Sequence, residues 1–297
     1  MGYIFRDYKC DAYGFLSALN VREEAWESRW QTNKTTTMDL YDLSGHLMDG
    51  AFGSVYSAIR RADGLPVAVK VVRNSSASYL TNESGETILA EAHFLCLVSG
   101  IEGCIGFVDV HQVKDCHLLV MERLLRSSDL FQVLEKVGII PKERCRCFFR
   151  QIVDAYVGCL KRNVVHGDLK MENVIVDLDT DMIKLVDFGF AKFVDDQPIA
   201  SAFGTTDHYL PPEMLKHRFM YAVPAMIWSL GIMLFEMITG EEVERGRRPY
   251  LQLINDAELL SLLDRMLAVD WRKRPSLKQV SDHPWTKKMT ANWEYVQ

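Results

Sequence analysis

The chain has 297 residues, of which 48% are hydrophobic and 25% charged, and a net charge of −6. This balance supports a large buried core in one two-lobed domain or in two ordinary ones. It carries no basic excess of the kind that binds nucleic acid, so no nucleic-acid partner is expected.

The cysteines, Cys10, Cys96, Cys104, Cys116, Cys145, Cys147 and Cys159, form no C-x-x-C pair. Free thiols in a reducing compartment are expected, and a zinc site is not. No uninterrupted run of eighteen apolar residues is present, and the opening MGYIFR lacks the apolar stretch of a signal peptide. The expectation is a monomer in the cytoplasm, with access to the nucleus and no membrane partner.

Residues 1–39 hold Tyr3, Phe5, Tyr8, Tyr13, Phe15, Trp26 and Trp30. These are too many aromatics for a plain disordered tail, and a partly ordered N-terminal extension is expected. From Leu40 to Val72, short apolar runs alternate with glycine-containing turns, and Asp63-Gly64 marks a hairpin. Residues 84–99 read as a helix, followed by strands near 105–111 and 117–121. After residue 129 the pattern turns helical. Pro141 suits a first helical turn, and Phe148, Phe149, Ile152, Val153, Tyr156, Val157 and Leu160 make an apolar stripe over 141–162. Segments 223–239 and 257–268 read as further apolar helices.

Three clusters carry chemistry. Gly50 and Gly53 flank Ala51 and Phe52, and Val55 follows. Glycines let backbone approach phosphate oxygens, although two of them also suit an ordinary turn. In Val67-Ala68-Val69-Lys70 a lysine lies in an apolar strand, where it needs an anionic partner, and Glu91 on the next helix can supply one. His166-Gly167-Asp168-Leu169-Lys170-Met171-Glu172-Asn173 packs acid, base and amide before the strand Val174-Ile175-Val176. Asp187-Phe188-Gly189 ends the apolar run Ile183–Val186, and an aspartate there is a good ligand for a hard metal ion.

Each cluster is weak alone. Taken in order, with Pro211-Pro212-Glu213 after them, they make the protein-kinase signature set. Over about residues 40–288 the chain resembles eukaryotic protein kinases. In finer detail it is similar to the Pim kinases of the calmodulin-dependent-kinase-like branch. The residues carrying that likeness are Glu122-Arg123, the doubled proline, Ile227-Trp228-Ser229-Leu230-Gly231, Arg274-Pro275-Ser276 and His283-Pro284-Trp285. The connection from Glu122 to Asp129 is also one residue longer than in most kinases, as in Pim enzymes.

The resemblance implies an α+β, two-lobed fold. An N-lobe over 40–121 would hold an antiparallel sheet and one helix, joined by a hinge over 122–129 to a mainly helical C-lobe over 130–288, with a tail at 289–297. It implies ATP and Mg²⁺ as cofactors, with Mn²⁺ as a substitute. Lys70 would hold the α- and β-phosphates, steadied by Glu91. Asn173 and Asp187 would bind the metal. Asp168 would orient the substrate hydroxyl and accept its proton, and Lys170 would sit by the γ-phosphate, marking the serine/threonine type. Leu47, Gly50, Phe52, Gly53, Val55, Ala68, Met121 as gatekeeper, Glu122 and Leu124 would line the nucleotide pocket. Leu124 stands where Pim kinases carry proline, and so restores an N–H donor. Asp129 would bind either the ATP ribose or a substrate arginine, Glu172 would grip an arginine three residues before the phosphorylated Ser or Thr, and Thr206 would take the usual threonine role near the substrate.

The implied partners are thus protein substrates with basic residues before Ser or Thr. The chain departs from the family pattern at three positions. Met48 replaces the first loop glycine, Gly167 the arginine before the catalytic aspartate, and Met226 an aspartate that braces the catalytic loop. Gly167 implies activity without activation-loop phosphorylation, and a pseudokinase scaffold is the alternative reading. Glu213 is expected to bridge Arg274, His166 to be a packed core residue, and Phe188 and Leu95 to join the lobes by apolar contact.

Overall fold

The structure is a computed structural model that describes residues 40–50, 53–81, 85–113, 115–200 and 207–288. The N-terminal extension, Ala51, Phe52, Thr205, Thr206 and the tail lie outside the described residues.

The alternating apolar runs of the first half pair as strands. These are β1 (Tyr41–Gly50), β2 (Gly53–Arg60), β3 (Pro66–Arg73), β6 (Phe107–Val113) and β7 (Cys116–Glu122), preceded in the last two cases by a small hairpin of β4 (Tyr79–Thr81) and β5 (Thr87–Leu89). The five longer strands form one antiparallel sheet in the order β1-β2-β3-β7-β6. Asp63-Gly64 makes the turn between β2 and β3, with Gly64 at φ 75° and its N–H on the Arg60 carbonyl at 2.8 Å. One helix, α1 (Ala90–Val98), packs beneath the sheet. It is shorter than the 84–99 expected from sequence, because Thr87–Leu89 pairs with β4 before the helix begins. Ile88 and Leu89 are apolar enough to read as helix, and only their long-range pairing makes them a strand.

The hinge is also shorter than 122–129. Its last residues form β8 (Ser127–Asp129), which pairs with β10 (Val174–Asp177), itself paired with β11 (Ile183–Leu185). The C-lobe is built on α2 (Leu130–Val137), α3 (Lys142–Lys161), α4 (Pro212–His217), α5 (Ala222–Thr239), α6 (Ala257–Met266), α7 (Leu277–Ser281) and α8 (Pro284–Lys287). Most of the stripe expected on α3 is buried, with Phe148, Phe149, Ile152, Val153 and Tyr156 all at 0% exposure, while Val157 and Leu160 are half-buried. One apolar core runs from Ala68 and Leu95 in the N-lobe through Phe188 to Trp285.

α5 has eighteen residues and a mean hydropathy of 1.6, enough by length and composition to cross a membrane. Glu236 interrupts its apolar run, and 78% of the helix is buried inside the fold, where it serves as the central C-lobe helix.

Candidate active site

Strand alternation on β3 turns Ala68, Lys70 and Val72 toward α1. Lys70 Nζ donates to Glu91 Oε1 at 2.6 Å and to Asp187 Oδ1 at 2.8 Å, with the Lys70 and Glu91 side chains 3% and 5% exposed. Burial opposes the lysine charge, but the Glu91 and Asp187 carboxylates outweigh it and hold the Lys70 pKa above its ordinary value. Burial also pushes the Asp187 carboxyl up, and Lys70 more than reverses this, keeping Asp187 below the usual carboxylate range. Burial pushes Glu91 upward against the pull of Lys70.

Asp187 adopts a left-handed backbone, φ 62°, just past Val186, which follows β11. That conformation costs aspartate less than most residues, because its short side chain can bond locally, and Oδ1 accepts from Gly189 N at 3.3 Å. Both contacts fall on Oδ1, so among the described residues Oδ2 has no hydrogen-bond partner and can meet a cation. Phe188 beside it is fully buried against His166, with ring centroids 4.6 Å apart, in the same core as Leu95, as expected.

The catalytic loop spans β9 (Val164–Val165) to β10. Asn173 Nδ2 donates to the Asp168 carbonyl at 2.8 Å and to Asp168 Oδ2 at 3.1 Å, and Lys170 Nζ lies 3.1 Å from the same oxygen. With its nitrogen committed to Asp168, the Asn173 amide offers its oxygen to a metal ion. His166 donates from Nε2 to the Val186 carbonyl at 2.8 Å and accepts the Asp168 N–H on Nδ1 at 3.3 Å. Burial depresses its pKa, so it is a neutral packed histidine.

Gly167 has φ 87°, and a Cβ built there would lie 2.1 Å from the Phe190 carbonyl oxygen. Only glycine permits this approach of the activation segment to the catalytic loop. Gly167 and Met226, two of the departures noted above, line the same cavity of about 30 Å³ beside Tyr156, Lys192 and Ser229.

On the nucleotide side, Gly53 comes so close to β3 that a Cβ would meet the Val71 carbonyl at 1.7 Å, and Gly50 faces Gly53 across the hairpin. Ala68 pairs with Met121, and Val55 with Lys70, so these side chains gather on the inward face. Leu47 and Met48 are exposed on β1. The Glu122 carboxylate is occupied, accepting from Gly106 N at 2.9 Å and pairing with Lys184 Nζ at 3.1 Å. The Leu124 N–H has no hydrogen-bond partner among the described residues, and its carbonyl accepts from Ser127. An open N–H at the hinge, a charged and fixed Lys70, and glycines that admit no side chain suit a nucleotide. The free oxygens of Asp187 and Asn173 suit a hard divalent cation.

Asp129 has a role that motif reading left out. Its Oδ1 caps α2 by accepting from Gln132 N at 2.8 Å, so only Oδ2 remains for a ligand. Glu172 is half-buried and pairs with no lysine or arginine among the described residues. Sequence reasoning also missed the cluster next to it. Glu236, 3% exposed, takes His208 Nε2 and Val243 N on Oε1 and the Tyr209 hydroxyl on Oε2. The available signal was a lone acid in the apolar run of α5.

A family model described as protein kinase domain matches residues 41–286. The serine/threonine-protein kinase prk-2 of Caenorhabditis elegans is 32% identical over 265 residues, covering 86% of this chain and 60% of that protein. The serine/threonine-protein kinase pim-2 of Danio rerio is 29% identical over 262 residues, covering 82% of this chain and 84% of that one. The serine/threonine-protein kinase SIK1 of Mus musculus is 29% identical over 266 residues, and this chain spans 33% of its length. With Lys70 bonded to Glu91 and Asp187 and the family model matching most of the chain, the chain belongs to the protein kinase family, of the serine/threonine type.

Proposed function

We propose that this protein kinase transfers the γ-phosphoryl group of ATP, with Mg²⁺ or Mn²⁺, to Ser or Thr in protein substrates that carry an arginine three residues upstream. We further propose that it does so without activation-loop phosphorylation. The observation that carries the reading is Lys70 bridging Glu91 and Asp187 at 2.6 and 2.8 Å, which joins sheet, helix and metal-binding aspartate in one closed arrangement.

In this arrangement Lys70 presents a charged ammonium to the phosphates at no further ordering cost. Asp187 Oδ2 and the Asn173 amide oxygen would hold the divalent ions, which neutralise charge on the transferring group when bound. Asp168, fixed by Asn173 and Lys170, accepts the proton of the attacking hydroxyl. Lys170 bears its charge toward the same oxygen and balances the carboxylate. The Leu124 N–H and hinge backbone take the adenine edge.

Glu172, which pairs with no lysine or arginine among the described residues, supports arginine recognition by a carboxylate–guanidinium fork. Independence from loop phosphorylation is supported by backbone alone. β12 (Lys192–Phe193) pairs with β9, Val194 N donates to the Asn163 carbonyl at 2.9 Å, and Ile199 and Met220 exchange hydrogen bonds of 2.7 and 3.0 Å. Among the described residues the activation segment is thus held at Lys192–Val194 and at Ile199 without a phosphate. A pseudokinase scaffold gains no support from a site in which Lys70, Glu91, Asp168, Asn173 and Asp187 are all present, with Lys70 bonded to Glu91 and Asp187 and Asn173 bonded to Asp168. A radiolabelled-ATP assay against a peptide library tests the reading. Mg²⁺-dependent label on Ser/Thr peptides is expected, and no label on any peptide would refute it.

A further inference from the structure

Two places in the sequence set an arginine three residues before a serine or threonine: Arg29 before Thr32, and Arg73 before Ser76. Thr32 lies outside the described residues. Arg73 ends β3, Ser76 lies between β3 and β4, and both are exposed. Among the described residues the Arg73 guanidinium meets no carboxylate and the Ser76 hydroxyl makes no hydrogen bond.

The backbone at Ser76 is lightly held. Asn74–Ser76 form a single 3₁₀ turn, in which Ala77 N donates to the Asn74 carbonyl at 3.4 Å, longer than an ordinary N–H···O bond. The flanking residues are already extended, Arg73 at φ −71°, ψ 138° and Ala77 at φ −81°, ψ 139°. Opening that one bond makes Arg73–Ala77 a continuous extended segment, a form in which peptides are commonly bound. Arg73 itself is fixed. It pairs with Cys116 on β7, and Asn74 N donates to the Asp115 carbonyl at 2.9 Å. β3 carries Lys70 into the chain's own cleft and Arg73 about 10 Å beyond it, three strand residues further on. Held there, the segment does not reach Asp168 of the same molecule.

We propose that Ser76 is an autophosphorylation site, modified by a second copy of this kinase that recognises Arg73. The inference rests on the arginine preference proposed above and names this chain as one of its substrates. In the step, Ser76 Oγ bonds to the γ-phosphorus of ATP held by the second copy. The bond from that phosphorus to the β,γ-bridging oxygen breaks, ADP leaves, and the hydroxyl proton passes to Asp168 of the second copy.

The test uses phosphatase-treated Lys70→Met protein, the whole chain, as acceptor. Wild-type kinase is added with ATP and Mg²⁺, and phosphopeptides of the acceptor are mapped by mass spectrometry. Phosphate is expected on Ser76, at a rate proportional to the wild-type concentration. Arg73→Ala in the acceptor should lower that rate about tenfold or more, and Arg73→Lys should restore part of it. A synthetic peptide of residues 70–80, which has no fold to lose, should respond to the same two substitutions in the same way. Labelled arginine-containing library peptides with Ser76 bare, or a Ser76 rate indifferent to Arg73→Ala, overturn this inference and leave the arginine reading intact. Absence of arginine selection on the library overturns that reading, and this inference with it.

Discussion

Arg274 forks onto Glu213 with Nη1 to Oε1 at 2.7 Å and Nη2 to Oε2 at 2.6 Å, both side chains 2% exposed or less. The guanidinium also donates to the Ala268 and Pro224 carbonyls and lies 5.0 Å over the Trp228 ring. One side chain thus ties the helix after the activation segment to α5 and to the end of α6. Arg274→Met should strand Glu213 in the core and cost about 3–5 kcal/mol in chemical denaturation. Arg274→Lys should recover only part, because an ammonium cannot make the fork. A loss within about 0.5 kcal/mol, the range of ordinary surface substitutions, would show that the pair is not structural.

Lys70→Met and Asp168→Asn should each lower kcat by about 10²–10³ or more, the usual scale for a lost transition-state contact. Both proteins should retain cooperative thermal unfolding, so the loss can be assigned to chemistry. Wild-type rates in Asp168→Asn would remove Asp168 from the mechanism.

Phosphatase treatment should leave the specific activity unchanged. Gly167 offers no guanidinium to a loop phosphate, and among the described residues Val194, Ile199 and Met220 hold the activation segment by backbone hydrogen bonds. A drop in activity that tracks dephosphorylation of Ser201, Thr205 or Thr206 would contradict this.

Leu124→Pro should weaken ADP binding about three- to tenfold by calorimetry, the value of one hydrogen bond. The substitution removes the hinge N–H that has no partner among the described residues. Equal affinity would mean that the adenine does not use this donor.

His166 yields a pH prediction. Its folded pKa lies below the ordinary 6.5, because burial penalises the cation, so the unfolded chain binds the additional proton. Stability should be fully present above about pH 6.5 and decline as pH falls below it, by about 1.4 kcal/mol per pH unit for each such proton. His93, His117 and His283 shift in the same direction and for the same reason. His166→Phe should flatten the decline in denaturation midpoints between about pH 6.5 and 5. An identical slope would assign the acid sensitivity to the other histidines.

Much of the site was legible in sequence because each chemical residue is anchored to a local pattern. Lys70 lies within an apolar strand, Glu91 is in the first turn of a helix, and Asp187 follows an apolar run. Their meeting follows from the family's topology, and the distances agree. What was not legible depends on long-range pairing or on side-chain competition. The β4–β5 hairpin hid the true start of α1 because apolar residues suit either element. Asp129 spends one oxygen on a helix cap, a local use that motif reading overlooks. His208 and Glu236 lie 28 residues apart, and nothing in the intervening sequence signals that they meet.

The burial of α5 has a consequence for synthesis. The helix is completed at Thr239, whereas α6, α7 and α8, which pack around it or its neighbour α3, begin only at Ala257 and end at Lys287. On the ribosome, an eighteen-residue segment of mean hydropathy 1.6 therefore emerges before the last helices of its lobe exist. Until they arrive, the nascent chain exposes a surface that chaperones, neighbouring chains or a bilayer can take up. Closure of the C-lobe is then the step that decides whether this segment becomes core.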